Sequence, residues 1–380
     1  MTGRTKVSVR KVHCGIIESE AERRCKSGGS VADDSIVCLK WAMGLHPARD
    51  APAGARRSRT RRIGIVLNQP ESFSTHDTYF SEMLAGIIQR ATENDRNVLL
   101  LSAHYATWQS LFADLTGGAV DGALQISRFV SNQLTSALIG ADFPLVCVSF
   151  HTEDEGCLSV DCDNEQGGYL AGCHLRDLGH RNIAVLYPGD ELSWGAERVA
   201  GIRQAFAESD SEPVRLATCV WEEQTLPDRS WVRDAVSWLV GQEPRPTGLI
   251  CCDEMRARMV AELLPEFGLR VPEDISVVSF NSTETSARCV PPLTSVGQPL
   301  PEIGRAAVDM LLARIRGQSV PQAIVRFPMR LDVRQSTAAC RGKCPSPGPC
   351  PETAGSTHGV RTKGVTKSVA LEREKGLSAW

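Results

Sequence analysis

Residue types that can make or break bonds are present in this chain, but not at spacings that let them act together. The sequence contains no nucleophile elbow, no GxGxxG or phosphate loop, and no Ser, His and Asp set at catalytic spacing. The expectation is therefore a binding protein and not an enzyme. The adjacent Cys251 and Cys252, and the group Cys340, Cys344 and Cys350, lack a matching His or Cys cluster at zinc spacing, so neither a metal nor a cofactor is expected. Of the 14 cysteines, Cys147, Cys173, Cys219 and Cys289 stand singly in apolar or mixed surroundings and read as reduced packing residues. One cluster does carry a chemistry. Arg56, Arg57, Arg59, Arg61 and Arg62 crowd one short stretch and suit contact with the phosphates of a nucleic acid.

The charge distribution points the same way. The formal net charge is −3, yet residues 1–62 carry 14 Lys+Arg against 6 Asp+Glu, and residues 341–380 carry 7 against 3. Residues 63–340 carry 21 against 36, and all eight lysines lie in the two flanks. An acidic body with a basic N-terminal arm suits a protein that touches a polyanion, such as double-stranded DNA, through the arm alone. The tail 341–380 opens RGKCPSPGPCPETAGSTHG and is too rich in Pro, Gly, Ser and Thr to bury a core, so disorder is expected there. No stretch reaches the roughly 18 apolar residues of a membrane span, and the N-terminus has no apolar run of signal-peptide length. Those absences lead to the expectation of a cytoplasmic chain with no membrane partner.

The elements that must position a site begin at Ile63. IGIVL (63–67), NVLLLS (97–102), GALQIS (122–127) and PLVCVS (144–149) read as buried strands. Between them lie helical stretches over Tyr79 to Asn94, with Leu84, Ile87, Ile88 and Ala91 on one face, around Trp108 to Leu115, and over Asn132 to Ile139. After the turn-rich HTEDEGCLSVDCDN, a second series follows. Helix Glu165 to Leu178 closes at Gly179, then come strand NIAVLY (182–187), helix Ala196 to Glu208, strand Arg215 to Val220 and helix Trp231 to Val240. Strand TGLICC (247–252), helix Glu254 to Phe267, strand ISVVSF (275–280), helix Glu302 to Ile315 and short strand-like pieces around Ile324 and Leu331 complete it. Apolar strands alternating with helices give an α/β fold with parallel sheets. Two Rossmann-like lobes account for the count, with a ligand cleft at the carboxyl ends of the strands.

Five blocks then carry a specific likeness. VDCDNEQGGYLAGCHLRDLGHRNIAVLYPG (160–189), AERVAGIRQAF (196–206), RPTGLICCDEM (245–255), GLRVPEDISVVSF (268–280) and PPLTSVGQPLPEIGRAAVDMLLARI (291–315) strongly resemble, in order and spacing, the sensor domain of lactose-repressor-type (LacI/GalR) transcription regulators. The resemblance covers about residues 62–337. It implies a periplasmic-binding-protein-like fold, two lobes crossed by three connections, a homodimer, and an effector such as a sugar in the cleft. The expected division is a helix-turn-helix and hinge-like segment at 1–61, a sensor at 62–340, and the tail. Within the sensor, lobe 1 is expected over about 62–160 and 293–322, and lobe 2 over about 161–292 and 323–340.

The resemblance also implies site residues. Arg198 and Gly201 match the family's R-x-x-G at a helix start, where the arginine points into the cleft and a planar guanidinium can grip two hydroxyls or a carboxylate. Asp253 matches the acid of the N-D-E-M block, with Cys252 in place of the usual Asn. Asn281 stands where an aspartate is usual; an amide still donates and accepts, but without charge. Tyr79 and Phe80 match an aromatic pair after the first strand, Gln298 lies in a segment crossing between lobes, and Trp194 and Trp221 lie on loops near the cleft. Their competing readings are a surface helix arginine for Arg198 and plain packing for the four aromatic side chains. His174 and His180 flank a helix whose Gly-His turn resembles the family's structural L-G-H-R.

The N-terminal segment departs from the family's plan. SVRKV (8–12), SVADD (30–34), GLHP (44–47) and SRTRRIG (58–64) echo it out of register, and ESEAERRC (18–25) stands where a recognition helix belongs. Glu18, Glu20 and Glu22 there would face phosphates with like charge. The hinge position offers Ala55 or Gly54, neither a useful wedge for the minor groove. Three readings stay open for this segment: a diverged DNA-binding head, a head lost to a shifted frame, and a protein-binding arm. The function expected is a transcription regulator of LacI/GalR type controlled by a sugar-like effector, the alternatives being a sensor that has lost DNA binding and a sugar-binding transport receptor. On this reading Arg198→Ala weakens effector binding and leaves the fold intact.

Overall fold

The computed structural model describes residues 60–67, 78–102, 107–126, 132–152, 154, 156–190, 192–207, 214–221 and 229–340. All lie in the compact unit that begins at Arg59. The helix-turn-helix-like segment, Arg56, Arg57, Arg59 and the tail 341–380 fall outside the described residues.

Uninterrupted apolar runs make the strands. β1 (Arg62–Leu67), β3 (Gly122–Ile126), β4 (Leu145–Val148) and β8 (Gly248–Cys251) are buried along nearly their whole length, as parallel sheets covered on both faces require. Two six-stranded sheets result. The first runs β11 (Ile324–Phe327), β5 (Ser159–Cys162), β4, β3, β1, β2 (Asn97–Ser102), all parallel. The second runs β12 (Arg330–Asp332), β10 (Thr294–Gly297), β9 (Ser276–Asn281), β8, β6 (Asn182–Tyr187), β7 (Arg215–Val220), with β10–β12 antiparallel and the rest parallel. Helices α1 (Thr78–Glu93), α2 (Trp108–Asp114), α3 (Asn132–Gly140) and α9 (Leu300–Ile315) belong with the first sheet. α4 (Asn164–Asp177), α5 (Ser193–Ala207), α6 (Arg229–Val240), α7 (Glu254–Leu263) and the short α8 (Glu284–Ala287) belong with the second. The expected α/β architecture of two parallel-dominated lobes is present, and the chain passes between them from β5 to α4, from β10 to α9 and from β11 to β12.

Pairing corrects the expected lobe limits. β10, expected in lobe 1 with 293–322, pairs with β9 in the second sheet, and β11, expected in lobe 2 with 323–340, pairs with β5 in the first. The passages therefore fall at Asp163, at 298–299 and at 328–329. These strands are four residues each, too short for periodicity to say which sheet receives them. β5 itself, SVDC, lay inside the stretch read as turns, because its polar alternate residues hide the strand signal.

Helix packing corrects a second expectation. α1 buries Met83, Gly86, Ile87 and Ala91, while Ile88 is 47% exposed. The face is turned by glycines: a Cβ on Gly86 would lie 2.2 Å from the Pro301 carbonyl oxygen, and one on Gly304 2.5 Å from that of Met83. α9 therefore rests directly on the backbone of α1. The second lobe repeats the device. A Cβ on Gly168 in α4 would lie 1.9 Å from the Arg198 carbonyl oxygen, and one on Gly201 in α5 1.9 Å from that of Glu165. Gly201, half of the R-x-x-G motif, thus serves helix approach, and it fixes how Arg198 leaves α5.

The last described segment laces the second lobe. His180 sits 2.9 Å from Thr247 Oγ1 through Nδ1, and 3.0 and 3.1 Å from Ser276 Oγ and the Ala338 carbonyl through Nε2. His174 Nε2 lies 2.9 Å from Thr337 Oγ1. Both histidines are structural pins, and burial holds both below the ordinary imidazole pKa. Gly201→Ala is expected to cost about 3 kcal/mol in urea unfolding. Gly140→Ala, with nothing within 4 Å of the added Cβ, is expected to stay within about 0.5 kcal/mol of the parent.

Candidate functional site

Every residue proposed from the sequence as a ligand contact follows the carboxyl end of a strand. Tyr79 and Phe80 open α1, Trp194 and Arg198 lie in the first turns of α5, and Trp221 follows β7. Asp253 follows β8, Asn281 ends β9, and Gln298 lies just beyond β10. Three of them, Arg198, Gln298 and Asn281, are joined by a chain of polar contacts across the two lobes.

Arg198 is the start of that chain. It is 5% exposed, its Nε donates to Asn164 Oδ1 at 2.9 Å and its Nη1 to the Cys252 carbonyl at 2.7 Å. Its guanidinium carbon stands 4.3 Å from the ring centre of Phe280 and 4.8 Å from that of Trp194, a cation–π arrangement on two rings. Asn164, fully buried, opens α4 just past the first passage. Cys162 Sγ lies 3.4 Å from Asn164 Oδ1 and 3.2 Å from Gln298 Oε1, either of which can accept its one S–H. Gln298 Nε2 donates to Asn281 Oδ1 at 2.6 Å. Asn281 has φ 78°, a left-handed backbone that Asn adopts more readily than most residues, so the amide fits its position conformationally as well as chemically.

Asp161 stands beside this chain. It is 4% exposed and accepts from the Cys162 backbone N–H at 2.7 Å and from Asn164 Nδ2 at 3.4 Å. Burial raises its carboxyl to a pKa of about 6, against the opposing pull of the Cys162 amide and Arg198. Tyr79 donates to Ser149 Oγ at 2.5 Å, and its ring meets Phe80 edge-on at 5.3 Å. Burial pushes the Tyr79 hydroxyl pKa up, and the charges of Asp161 and Arg198 reach it, which ties it to the same region.

Two predicted residues are drawn elsewhere. Asp253 caps α7, with Oδ1 accepting from the Arg256 backbone at 2.8 Å. Trp221 is 2% exposed, with the Arg256 guanidinium 4.4 Å above its ring and Trp231 edge-on at 6.1 Å. In this conformation Trp221 is packed, as its competing reading had it. Arg61 and Arg62 are exposed at the opposite, amino end of β1, where Asp121 Oδ2 accepts from the Arg61 backbone at 3.0 Å.

Sequence reasoning missed Asp161, Asn164 and Cys162, which lay in the apparent turn, and also a contact directly between lobes. Thr78 Oγ1, at the start of α1, is 2.5 Å from Thr283 Oγ1, 3.2 Å from Thr285 Oγ1 and 3.4 Å from Glu254 Oε2. Glu254 also accepts from the Thr283 N–H and hydroxyl at 3.0 and 2.7 Å. Nearby Glu82 is held above the usual carboxylate range by burial and by Glu254 and Glu284. Arg326 of β11 pairs with Glu197 of α5 at 3.0 Å, a further polar contact between the lobes. A hollow of about 290 Å³ along α4 and α5, lined by Asp163, Glu165, Gln166, Tyr169 and Gln204, contains none of the predicted residues. Among the described residues, no group of three His, Cys, Asp or Glu could hold a metal ion, and no helix is long and apolar enough to cross a membrane.

Two parallel-dominated lobes with polar side chains converging at the strand carboxyl ends define a periplasmic-binding-protein-like domain, and the profile of that domain matches residues 173–337. The chain is 28% identical over 296 residues to the HTH-type transcriptional repressor PurR of Vibrio campbellii, covering 75% of this chain and 85% of the relative. It is 28% identical over 287 residues to catabolite control protein A of Priestia megaterium, covering 75% and 84%. Among solved structures, a transcriptional regulator CelR–cellobiose complex superposes with a TM-score of 0.67 at 23% identity, covering 82% of this chain and 92% of the other. A LacI family transcriptional regulator from Enterococcus faecium with bound ribose gives 0.63 at 24%, covering 74% and 100%. The chain thus carries a periplasmic-binding-protein-like domain and is similar to regulators such as PurR and catabolite control protein A.

Burial changes what Arg198→Ala is expected to do. The substitution strands the Cys252 carbonyl and the Asn164 amide oxygen, and is expected to lower stability by about 3 kcal/mol in urea. Asp161 gives a pH test. Its folded pKa lies above that of an unfolded carboxyl, so the native state is favoured at low pH and loses that advantage as pH rises through about 6. Asp161→Asn is expected to stabilise the protein by about 3 kcal/mol at pH 7.5 and by about 1 kcal/mol at pH 4.5. Paired urea titrations at the two pH values check the sign.

Proposed function

We propose that this chain is a DNA-binding transcriptional regulator of LacI/GalR type, whose two lobes hold a sugar-like effector between them. The observation that carries this reading is the hydrogen-bonded run from Arg198 through Asn164, Cys162 and Gln298 to Asn281, which joins both lobes at their strand carboxyl ends. Guanidinium, amides and a carboxylate in one place suit a ligand rich in hydroxyls, and rings such as Tyr79 and Trp194 suit its apolar face. The relatives support it by name as repressors, and two structural neighbours carry cellobiose and ribose.

An effector in this position acts by shifting the balance between open and closed lobes. The Thr78–Thr283–Glu254 contact and the Arg326–Glu197 pair belong to the closed side of that balance. In a homodimer, closure alters how two basic arms are presented, and Arg56, Arg57, Arg59, Arg61 and Arg62 then contact phosphate. A sensor without DNA output is the second reading, favoured by the acidic ESEAERRC at 18–25.

Selection on genomic fragments, followed by fluorescence anisotropy at two salt concentrations, separates the readings. The full chain is expected to enrich a palindromic site with strongly salt-dependent affinity, while residues 60–340 alone enrich none. A monosaccharide and disaccharide panel added to the bound complex is expected to change the anisotropy. No enrichment by the full chain overturns the DNA-binding reading and leaves the sensor to be tested by melting shifts with the same panel.

A further inference from the structure

We propose that Cys147 and Cys157 form an oxidisable dithiol site in the first lobe, which closes to an intramolecular disulfide on reaction with a hydroperoxide. The sequence presents these two as isolated packing residues. The fold brings them together. Cys147 lies in β4, and Cys157 ends a turn in which its N–H donates to the Asp154 carbonyl at 3.1 Å and Gly156 takes φ 87°. The Cys147 N–H donates to the Leu158 carbonyl at 2.8 Å, so the backbone beside Cys157 is clamped to Cys147. Cys157 Sγ lies 3.8 Å from Cys147 Sγ, within reach of an S–H···S hydrogen bond. A disulfide needs about 2.05 Å between sulfurs, and side-chain rotation supplies an approach of under about 2 Å more readily than backbone movement does.

The surroundings favour one sulfur as nucleophile. Cys147 and Cys157 are 1% and 7% exposed and form a small apolar cluster of their own with Phe150. Hydrogen bonding from Cys147, with a smaller share from Thr152, brings the Cys157 thiol down to a pKa of about 6 despite burial and the charge of Asp154. Cys219, by contrast, is pushed up to about 11 by burial. The thiolate is the attacking form. Cys157 sulfur attacks one peroxide oxygen, the O–O bond breaks, and the departing alkoxide or hydroxide takes a proton, leaving Cys157 as a sulfenic acid. Cys147 then attacks that sulfur, the S–O bond breaks, and water leaves with the Cys147 proton. Two thiols and one hydroperoxide give a disulfide, an alcohol or water, and water. Ser149, the acceptor of the Tyr79 hydroxyl, follows the end of β4 two residues beyond Cys147, so the cross-link anchors the strand end beside Tyr79. The site itself uses no residue of the effector network.

The test uses the full chain, reduced and then exposed to hydrogen peroxide, with free thiols blocked by N-ethylmaleimide before non-reducing proteolysis and mass spectrometry. The expected product is one peptide pair joined through Cys147 and Cys157, lighter than the two free thiols by two hydrogen atoms. In Cys147→Ser, Cys157 is expected to stop at the sulfenic acid and to be captured by dimedone. Recovery of Cys157 as a free thiol under peroxide that oxidises other cysteines, or its pairing with a different cysteine, overturns the proposal. If Cys147→Ser does not fold, the peptide map of the parent chain decides alone.

Discussion

A guanidinium taken out of water must be given acceptors, and the centre of this molecule is arranged around that demand. Arg198 satisfies it with the Asn164 side chain and the Cys252 carbonyl, and lies against the rings of Phe280 and Trp194. Those partners come from α4, from the end of β8, from β9 and from α5 itself. Each is held by something further back. α4 and α5 approach until glycine is the residue that fits at Gly168 and Gly201, and the apolar strands bring the ends of β8 and β9 to one edge. The buried charge is thus affordable only because the whole second lobe converges on it, and the same convergence makes that edge a place where hydroxyls can be bound.

Polar contacts join the two lobes in addition to the apolar cluster that runs through both. Thr78 reaches Thr283, Thr285 and Glu254, and Arg326 reaches Glu197. Hydrogen bonds of this kind contribute about 1 kcal/mol each, net of the water they displace. The passages at Asp163, 298–299 and 328–329 are the places where backbone change can be absorbed, and Gln298 at one of them is itself bonded to both Cys162 and Asn281.

Much of the fold was legible before any coordinates. Apolar runs such as IGIVL and ISVVSF, buried on both faces, announce parallel strands by composition alone, and the helical stretches between them carry their own periodicity and terminal signals, as at Gly179. The blocks of likeness located Arg198, Asn281 and Gln298, which the structure brings into one network. Where the reading failed, the signal was too short or was overridden. β5, β10 and β11 are four-residue strands whose sheet membership is decided by neighbours. The buried face of α1 is turned toward Gly86 by contact with α9, and Ile88, apolar but exposed, misled the periodicity.

By itself the sequence determined the class of fold, the alternation of strands and helices, and the residue types available for binding, because burial and periodicity are local properties of the chain. Tertiary structure decided which of those residues meet. Asp161 and Cys162 sit in a stretch that looks like a turn, Trp221 proves to be covered by Arg256, and Cys147 and Cys157 face one another across a strand pairing that spacing alone does not reveal. Contacts of that kind depend on register and on which sheet claims a short strand, and both are set by packing among distant segments rather than by any one of them.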